Sequence, residues 1–179
     1  MTLDPAARPN GATAAYRDAS CELSACGRYR YTLRRSWAAD GPVGTFVMLN
    51  PSTADGTLDD PTIRRCVGFA RTLGCASLLV VNLYAYRATD PRELRRVVDP
   101  VGPANDDAIA AAAVAAGECD GPLIVAWGGH AHLDRVSDVM RLPGMGRAAA
   151  LALTKAGQPR HPLYLHRESR PSPWAPPAR

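Results

Sequence analysis

Three short apolar runs, each ending in polar residues that favour turns, constrain the fold of this chain more than any other feature. The runs are Thr45 to Leu49, Ser77 to Val81 and Leu123 to Trp127. They lack the apolar-polar alternation of a half-exposed strand. Continuous apolar runs of this length are typical of parallel strands that are covered on both faces.

Segments with helical character separate the apolar runs. The first begins at Asp60-Pro61, where an N-cap residue precedes a favoured N1 proline, and it stops at Gly74. The others run from about Ala104 to Gly117 and from His130 to about Arg141. Because strands and helices alternate, we predict an α/β fold, a three-layer α/β/α sandwich with a mainly parallel central sheet.

The ends of the chain differ from its centre. Residues 1–18 mix Pro, Gly, Ala and polar residues without periodicity, and residues 169–179 are rich in proline, so we predict a loose leader and an irregular tail around one domain over residues 19–168. Arg28 to Trp37 alternates apolar and polar residues, which predicts an edge or hairpin strand with one wet face. Ala148 to Leu153 is either a last strand or a helix end.

Polar clusters follow each of the three apolar runs. Asn50 and Ser52 follow the first, Asn82 and then Arg87 follow the second, and Gly128-Gly129 ends the third. Ligand sites of parallel α/β sheets lie beyond the carboxyl ends of the strands. We therefore expect these residues to converge on one crevice, although each cluster taken alone is also ordinary turn chemistry.

The residue types in this crevice suit recognition of a planar base. The carboxamide of Asn82 offers one donor and one acceptor to the edge of a base, or else it caps a strand end. Asp55, Asp59 and Asp60 are candidates to orient a water, with Asp60 also the N-cap of a helix. Dinucleotide, P-loop, zincin and serine-hydrolase motifs are absent from the sequence, and we expect neither a metal nor a cofactor.

Positive charge collects at the carboxyl-terminal end. Residues 155–179 contain Lys155 and four arginines against a single glutamate, whereas residues 1–154 are electrically balanced. His161 stands before a proline, which favours an extended segment or loop there. Lys155 and Arg160 are candidates for phosphate contacts beside this imidazole, or else they belong to a solvated tail.

Several segments together resemble the bacterial family of domain of unknown function 1643, over Arg28 to Leu165. They are RYRYTLRRSW, FVMLNPSTAD, DDPTIRRC, NLYAYRATDP, VGPAND, AWGG and TKAGQPRHPLYL. The order of the clusters also resembles, more weakly, the uracil-DNA glycosylase superfamily, in which similar strand-end loops precede a closing His-Pro-Ser motif. Leu49 and Ser52 stand here in place of glycines, and Leu163 in place of the serine.

The second resemblance implies a glycosylase that flips a damaged or modified base out of DNA and hydrolyses its bond to deoxyribose. Carried over to this chain, Asn50 holds the attacking water, Asn82 with Ser52 and Arg87 reads the base, and His161 hydrogen-bonds the leaving base. Asp55 is a candidate general base for the water. The phosphate contacts would come from the glycine turn and the basic end, namely Gly128, Gly129, Lys155 and Arg160.

Two other functions fit the same residues. One is a nucleic-acid or nucleotide module that recognises a base without catalysis, and the other is a nucleoside hydrolase, for which the basic end would be superfluous. The five cysteines form no CxxC pair and are odd in number, which indicates reduced thiols. The sequence also has no apolar run long enough for a membrane span, and we expect a cytoplasmic monomer whose partner is DNA.

Overall fold

A seven-stranded sheet forms the centre of the protein in the computed structural model, which describes residues 16–177. The strands are β1 (Asp18–Leu23), β2 (Arg30–Ser36), β3 (Val43–Met48), β4 (Ser77–Asn82), β5 (Leu123–Val125), β6 (Ala149–Ala150) and β7 (Ser172–Pro173). Their order across the sheet is β1-β2-β4-β3-β5-β6-β7. All but the last three residues of the predicted leader lie outside the described part, and β1 begins at the last of them.

The sheet is mixed. Its central strands β4, β3, β5 and β6 are parallel, whereas β1 pairs with β2, β2 with β4, and β7 with β6 in antiparallel fashion. Three of the six neighbouring pairs are therefore antiparallel, and the prediction of a mainly parallel sheet is not confirmed. The difference lies at the margins: the hairpin of β1 and β2 is added beside β4, and β7 returns from the carboxyl-terminal segment to pair with β6.

Three α-helices pack on the two faces of the parallel strands. They are α1 (Pro61–Thr72), α2 (Asn105–Glu118) and α3 (Leu133–Met140). Alternate residues of the strands point to opposite faces: Phe46 and Val80 pack with α1, whereas Val47 and Val81 pack with α2 and α3. Across the described residues, no helix has both the length and the apolar character needed to cross a bilayer.

The start of α1 follows from its sequence. The side chain of Asp60 accepts a hydrogen bond from the backbone N–H of Ile63 (2.8 Å), and Pro61 occupies the first helical position. Both features favour a helix start. The buried face of α1 carries Cys66 and Ala70 against the sheet, so the helix enters the fold with its amino terminus at the carboxyl end of β3.

Strand β2 is less exposed than its alternation predicts. Arg30 lies on the predicted wet face, yet it is buried, and Arg35 on the other face is fully buried in an ion pair with Asp59 (2.8 Å). Of the two alternatives predicted for this segment, the hairpin strand is confirmed and the edge strand is not, because β2 pairs antiparallel with the preceding strand β1 on one side and with β4 on the other. Both arginines donate to backbone carbonyls of the loop between β3 and α1, namely those of Ala54 and Asp55.

The proline-rich tail belongs to the fold as far as the structure describes it. Ser172 and Pro173 form β7 against β6, and the backbone N–H of Trp174 donates to Ala148. Proline is tolerated in such an edge strand because its missing N–H faces away from the ladder. The indole of Trp174 is buried and donates to the Gly157 carbonyl (3.0 Å), so residues 172–174 are ordered rather than irregular.

Candidate functional site

A cavity of about 500 Å³ opens at the carboxyl edge of the parallel strands. In the register of the sheet, Met48 of β3 lies opposite Asn82 of β4, and Val47 lies opposite Val125 of β5. Residues that follow these positions therefore reach the same edge. We call this space the first cavity; its polar lining comes from Arg30, Asn50, Ser52, Asp60, Thr62, Asn82, Thr89, His130, Thr154, Arg160, His161 and Tyr164.

Seven of the ten site residues predicted from the sequence line the first cavity. They are Asn50, Ser52, Asn82, Gly128, Gly129, Arg160 and His161. The other three, Asp55, Arg87 and Lys155, are not among its lining residues. Of the residues expected to converge from the strand ends, Asn50, Ser52, Asn82, Gly128 and Gly129 share this cavity and Arg87 does not. Their shared location does not by itself assign a role to any of these side chains.

The carboxamide of Asn82 is the most unusual polar group in the first cavity. The residue is 1% exposed, and neither its Nδ2 nor its Oδ1 has a hydrogen-bond partner among the described residues. A buried amide without partners costs free energy, about 1–3 kcal/mol on mutational scales. Asn105 fixes the backbone here, because its Nδ2 donates to the carbonyls of Asn82 (3.0 Å) and Leu83 (3.1 Å). The backbone of Asn82 is thus held in place, and its carboxamide keeps an unpaired donor and an unpaired acceptor.

The carboxamide of Asn50 is oriented by its nitrogen. Its Nδ2 donates to the carbonyls of Pro51 (3.0 Å) and Ala88 (2.7 Å). Both donor positions of the amide are therefore used within the loop, which leaves the Oδ1 as the group that remains for a ligand or a water.

The imidazole of His161 lies in the wall between α1 and the first cavity. Desolvation lowers its pKa below the ordinary 6.5, although the nearby carboxylate of Asp60 opposes this effect. The Nδ1 accepts a long hydrogen bond from the N–H of Leu163 (3.4 Å), so the neutral ring carries its proton on Nε2. Arg65 of α1 holds the following turn in place by donating to the carbonyls of Pro162 and Leu165.

Sequence reasoning missed Arg30 as a cavity residue. Its guanidinium is 2% exposed, its Nη1 donates to Ala54, and its Nε has no partner among the described residues. Burial lowers the pKa of Arg30 to about 10, with Asp60 opposing the shift, so it remains a cation at neutral pH. The period-2 pattern placed this residue on a wet face, and no local signal distinguishes a cavity from bulk solvent.

Asp55 does not reach the first cavity. Its Oδ1 accepts hydrogen bonds from the N–H of Thr57 (2.7 Å), the N–H of Leu58 (2.9 Å) and the Thr57 hydroxyl (3.0 Å). These bonds, led by that from the Thr57 backbone, lower the pKa of Asp55. Such a turn carboxylate is a poor base for a distant water. Asp60, which lines the first cavity and whose Oδ1 accepts the N-cap hydrogen bond from Ile63, replaces it as the candidate through its other oxygen.

Two of the predicted phosphate contacts have other surroundings. The N–H of Gly128 donates to the carbonyl of Pro159 (2.8 Å), so this amide is used within the protein. Its φ of +79° is a backbone conformation that favours glycine. Lys155 is exposed in the turn of a hairpin-like segment in which Leu153 bridges to Pro159. It therefore lies beside the cavity wall rather than in it.

A smaller space of about 330 Å³, the second cavity, adjoins the first. The two share Ser52, Ala88 and Thr89. The remaining lining residues of the second cavity are Gly27, Arg28, Thr53, Tyr86 and Arg87. Arg87 thus lies next to the first cavity, and not in it as the sequence predicted.

The fold and these cavities define a class: an α/β protein with an open cavity of mixed polar and apolar lining at the carboxyl edge of its parallel strands. Within residues 16–177, no group of three or more His, Cys, Asp and Glu side chains is placed to hold a metal ion. The sequence profile of a family described as protein of unknown function, DUF1643, matches residues 30–163. This chain belongs to that family. No curated protein matches it significantly, and neither does any solved structure.

Proposed function

We propose that this protein is a DNA glycosylase that takes a damaged or modified base, flipped out of the helix, into the first cavity. The observation that carries the proposal is the Asn82 carboxamide, whose donor and acceptor are buried and unpaired among the described residues. The hydrogen-bonding edge of a base presents a complementary acceptor and donor. Binding such an edge would satisfy both atoms at once, and a base lacking that edge would leave them unpaired.

The same cavity provides groups for hydrolysis of the N-glycosidic bond. A water held by the Oδ1 of Asn50 would bond to C1′ of the deoxyribose while the C1′–N bond breaks and its electron pair passes to the base. The Asp60 carboxylate would accept a proton from the water, and the Nε2–H of His161 would donate a hydrogen bond to the leaving base. Preorganised donors aimed at developing negative charge typically contribute about 10²–10³ in rate.

Kinship with the uracil-DNA glycosylase superfamily is part of this proposal. Helices on both faces of the parallel strands support a three-layer α/β/α arrangement. The sequence order of the cavity segments, with Asn50 first, Asn82 next, Gly128 third and His161 last, is the order that the superfamily would require. The antiparallel strands β1, β2 and β7 would then be additions at the margins of the shared core.

A panel of oligonucleotides tests the proposal. Single-stranded and duplex DNA carrying uracil, deaminated, oxidised and hypermodified bases would be incubated with the protein, and alkali would reveal abasic sites. We expect strand cleavage at one class of base. His161→Ala should reduce the rate of that cleavage by about 10²–10³ with little change in affinity for intact substrate, because the donor acts chiefly in the transition state.

His166→Ala is the matched control, since His166 is exposed and does not line the first cavity. If His161→Ala cleaves the substrate at the wild-type rate, His161 has no role in the reaction. If no base in the panel is cut and one is nevertheless bound tightly, the protein is a base-binding module rather than an enzyme. Cleavage of free nucleosides and not of oligonucleotides would instead make it a nucleoside hydrolase.

A further inference from the structure

The second cavity has the composition of an anion site. Of its eight lining residues, two are arginines, Arg28 and Arg87, and four carry hydroxyls, Ser52, Thr53, Tyr86 and Thr89. None of the described residues that line it is acidic. Guanidinium and hydroxyl groups are the donors that proteins use for phosphate oxygens.

Arg87 is only partly satisfied within the protein. Its Nη1 donates a long hydrogen bond to the Gly27 carbonyl (3.4 Å), whereas its Nε is shielded from solvent and lacks a partner among the described residues. A buried donor on a charged group without an acceptor is costly. The other arginine, Arg28, is exposed, with its guanidinium 6.0 Å from the ring centre of Tyr29. The two cations therefore flank one concave space.

The position of the second cavity connects it to the first. Ser52, Ala88 and Thr89 line both spaces, so a ligand that fills the first cavity has a short path into the second. In a nucleic acid, a phosphodiester always adjoins the sugar that carries the base. The second cavity adjoins the first in the same way as a phosphodiester adjoins the sugar and base of its nucleotide.

We propose that the second cavity binds the phosphodiester next to the nucleotide whose base enters the first cavity, with Arg28 and Arg87 as its ligands. This site rests on the proposed function, because the base occupies the first cavity. It also deepens that function, since the substrate class becomes a polynucleotide and not a free nucleoside. Other ionisable groups lie nearby. The Tyr86 phenol lines the same cavity and the Tyr29 ring lies beside Arg28, while hydrogen bonds from Ser24 and then Arg28 lower the pKa of the Cys26 thiol to about 7.

The test is the salt dependence of binding. The probe is a fluorescently labelled single-stranded oligodeoxynucleotide of mixed sequence, titrated between about 50 and 200 mM KCl. The assay is set at about pH 6, where the thiol of Cys26 is mostly protonated. Each phosphate contact on single-stranded DNA adds about 0.7 to the slope of log K against log salt. The double variant Arg28→Ala/Arg87→Ala should therefore lower that slope by about one unit or more.

The matched control is Arg95→Ala/Arg96→Ala, which removes the same charge from exposed residues outside both cavities and should leave the slope within about 0.3 of wild type. Arg87→Lys, which keeps the charge, should retain the wild-type slope and shows that a loss in the double variant is not misfolding. Equal slopes in the two double variants overturn the site, as does an absence of wild-type binding at the lowest salt. In a competition experiment, inorganic phosphate should displace the labelled probe less effectively than the unlabelled oligonucleotide does. Equal competition would overturn the assignment of a phosphodiester as the ligand and would indicate a site for free phosphate.

This experiment separates the two proposals because it measures binding alone. If the slope falls and no base in the panel is cut, the phosphodiester site stands and the glycosylase function fails. If a base is cut and the two double variants have equal slopes, the glycosylase function stands and the second cavity has no such role.

Discussion

At the scale of single residues, the unusual feature is a set of polar groups that are buried without partners. Asn82, Arg30 and Arg87 each have a side-chain nitrogen or oxygen that is inaccessible and unpaired among the described residues. All three lie in the walls of two adjoining cavities. Two further residues of the described part, Thr45 and Asn105, have one such oxygen each and line neither cavity. Proteins pair nearly all such groups, so the three that share adjoining cavity walls are best explained by a ligand that completes them.

We expect Asn82→Leu to stabilise the protein while abolishing recognition of its ligand. Leucine has a similar volume and removes the buried amide that lacks partners, and relief of such a group is worth about 1–3 kcal/mol. Urea denaturation of the two proteins measures the difference. A loss of stability equal to that of an ordinary core substitution would mean that the carboxamide already has a partner. Asn50→Leu is the contrasting variant and should destabilise, because Asn50 donates two hydrogen bonds within its loop.

The burial of His161 should make stability depend on pH. Because its pKa in the folded protein is below the ordinary 6.5, the unfolded chain binds more protons in this range, so stability rises with pH up to about 6.5 and is lost on acidification. In His161→Gln, this part of the acid sensitivity should disappear. Urea midpoints measured between about pH 5 and 7.5 follow it. His166→Gln, at an exposed position, should behave like wild type.

The exposed Cys26 should be the most reactive of the five cysteines. Hydrogen bonds from Ser24 and then Arg28 lower its pKa to about 7, whereas burial raises the pKa of Cys75 to about 11. The rate of Cys26 alkylation by iodoacetamide should rise with pH and reach half its maximum near the Cys26 pKa of about 7. Ser24→Ala should move this midpoint to higher pH. Peptide mass spectrometry across pH measures both. Equal labelling of Cys26 in wild type and Ser24→Ala would show that the serine has no effect.

At the scale of secondary structure, prediction was good where the signal is local. The three helices, the three central strands and the shared edge of Asn50, Asn82 and Gly128 follow from apolar runs, caps and strand ends. The expectation for His161 came from the resemblance to the closing His-Pro motif instead. What failed depends on neighbours distant in sequence. Asp55 is turned into its own loop by three hydrogen bonds, and Arg30 is buried with its guanidinium on the Ala54 carbonyl of the loop between β3 and α1. The residues next to Asp55 and Arg30 in the sequence give no signal that predicts either arrangement.

The short strand β7 gives a prediction at this scale. The indole of Trp174 packs edge-to-face on Trp127, with ring centres 5.2 Å apart, and Trp127 lines the first cavity. We expect Trp174→Ala to cost about 3–5 kcal/mol of stability, as large aromatic truncations in cores do. Trp174→Phe, which keeps an aromatic contact, should cost clearly less. Thermal and urea unfolding measure this, and a near-zero effect of the alanine variant would show that the tail is dispensable.

At the scale of the whole molecule, basic side chains lie in or next to both cavities. Arg160 lines the first cavity, whereas Lys155 is exposed at the tip of the hairpin-like segment that leads to it. The second cavity, which adjoins the first, adds Arg28 and Arg87. Under the proposed function, a nucleic-acid strand with one base in the first cavity would pass both groups of cations.

We expect Lys155→Ala/Arg160→Ala to lower the slope of log K against log salt by more than one unit, since each phosphate contact contributes about 0.7–0.9. Arg95→Ala/Arg96→Ala again controls for charge. An unchanged slope would show that Lys155 and Arg160 belong to a solvated surface. If both basic groups contact one strand, the quadruple variant with Arg28→Ala and Arg87→Ala should lose the sum of the two slope changes, because separate phosphates release separate counterions. A loss no larger than either double variant alone would mean that both pairs of cations compete for a single phosphate.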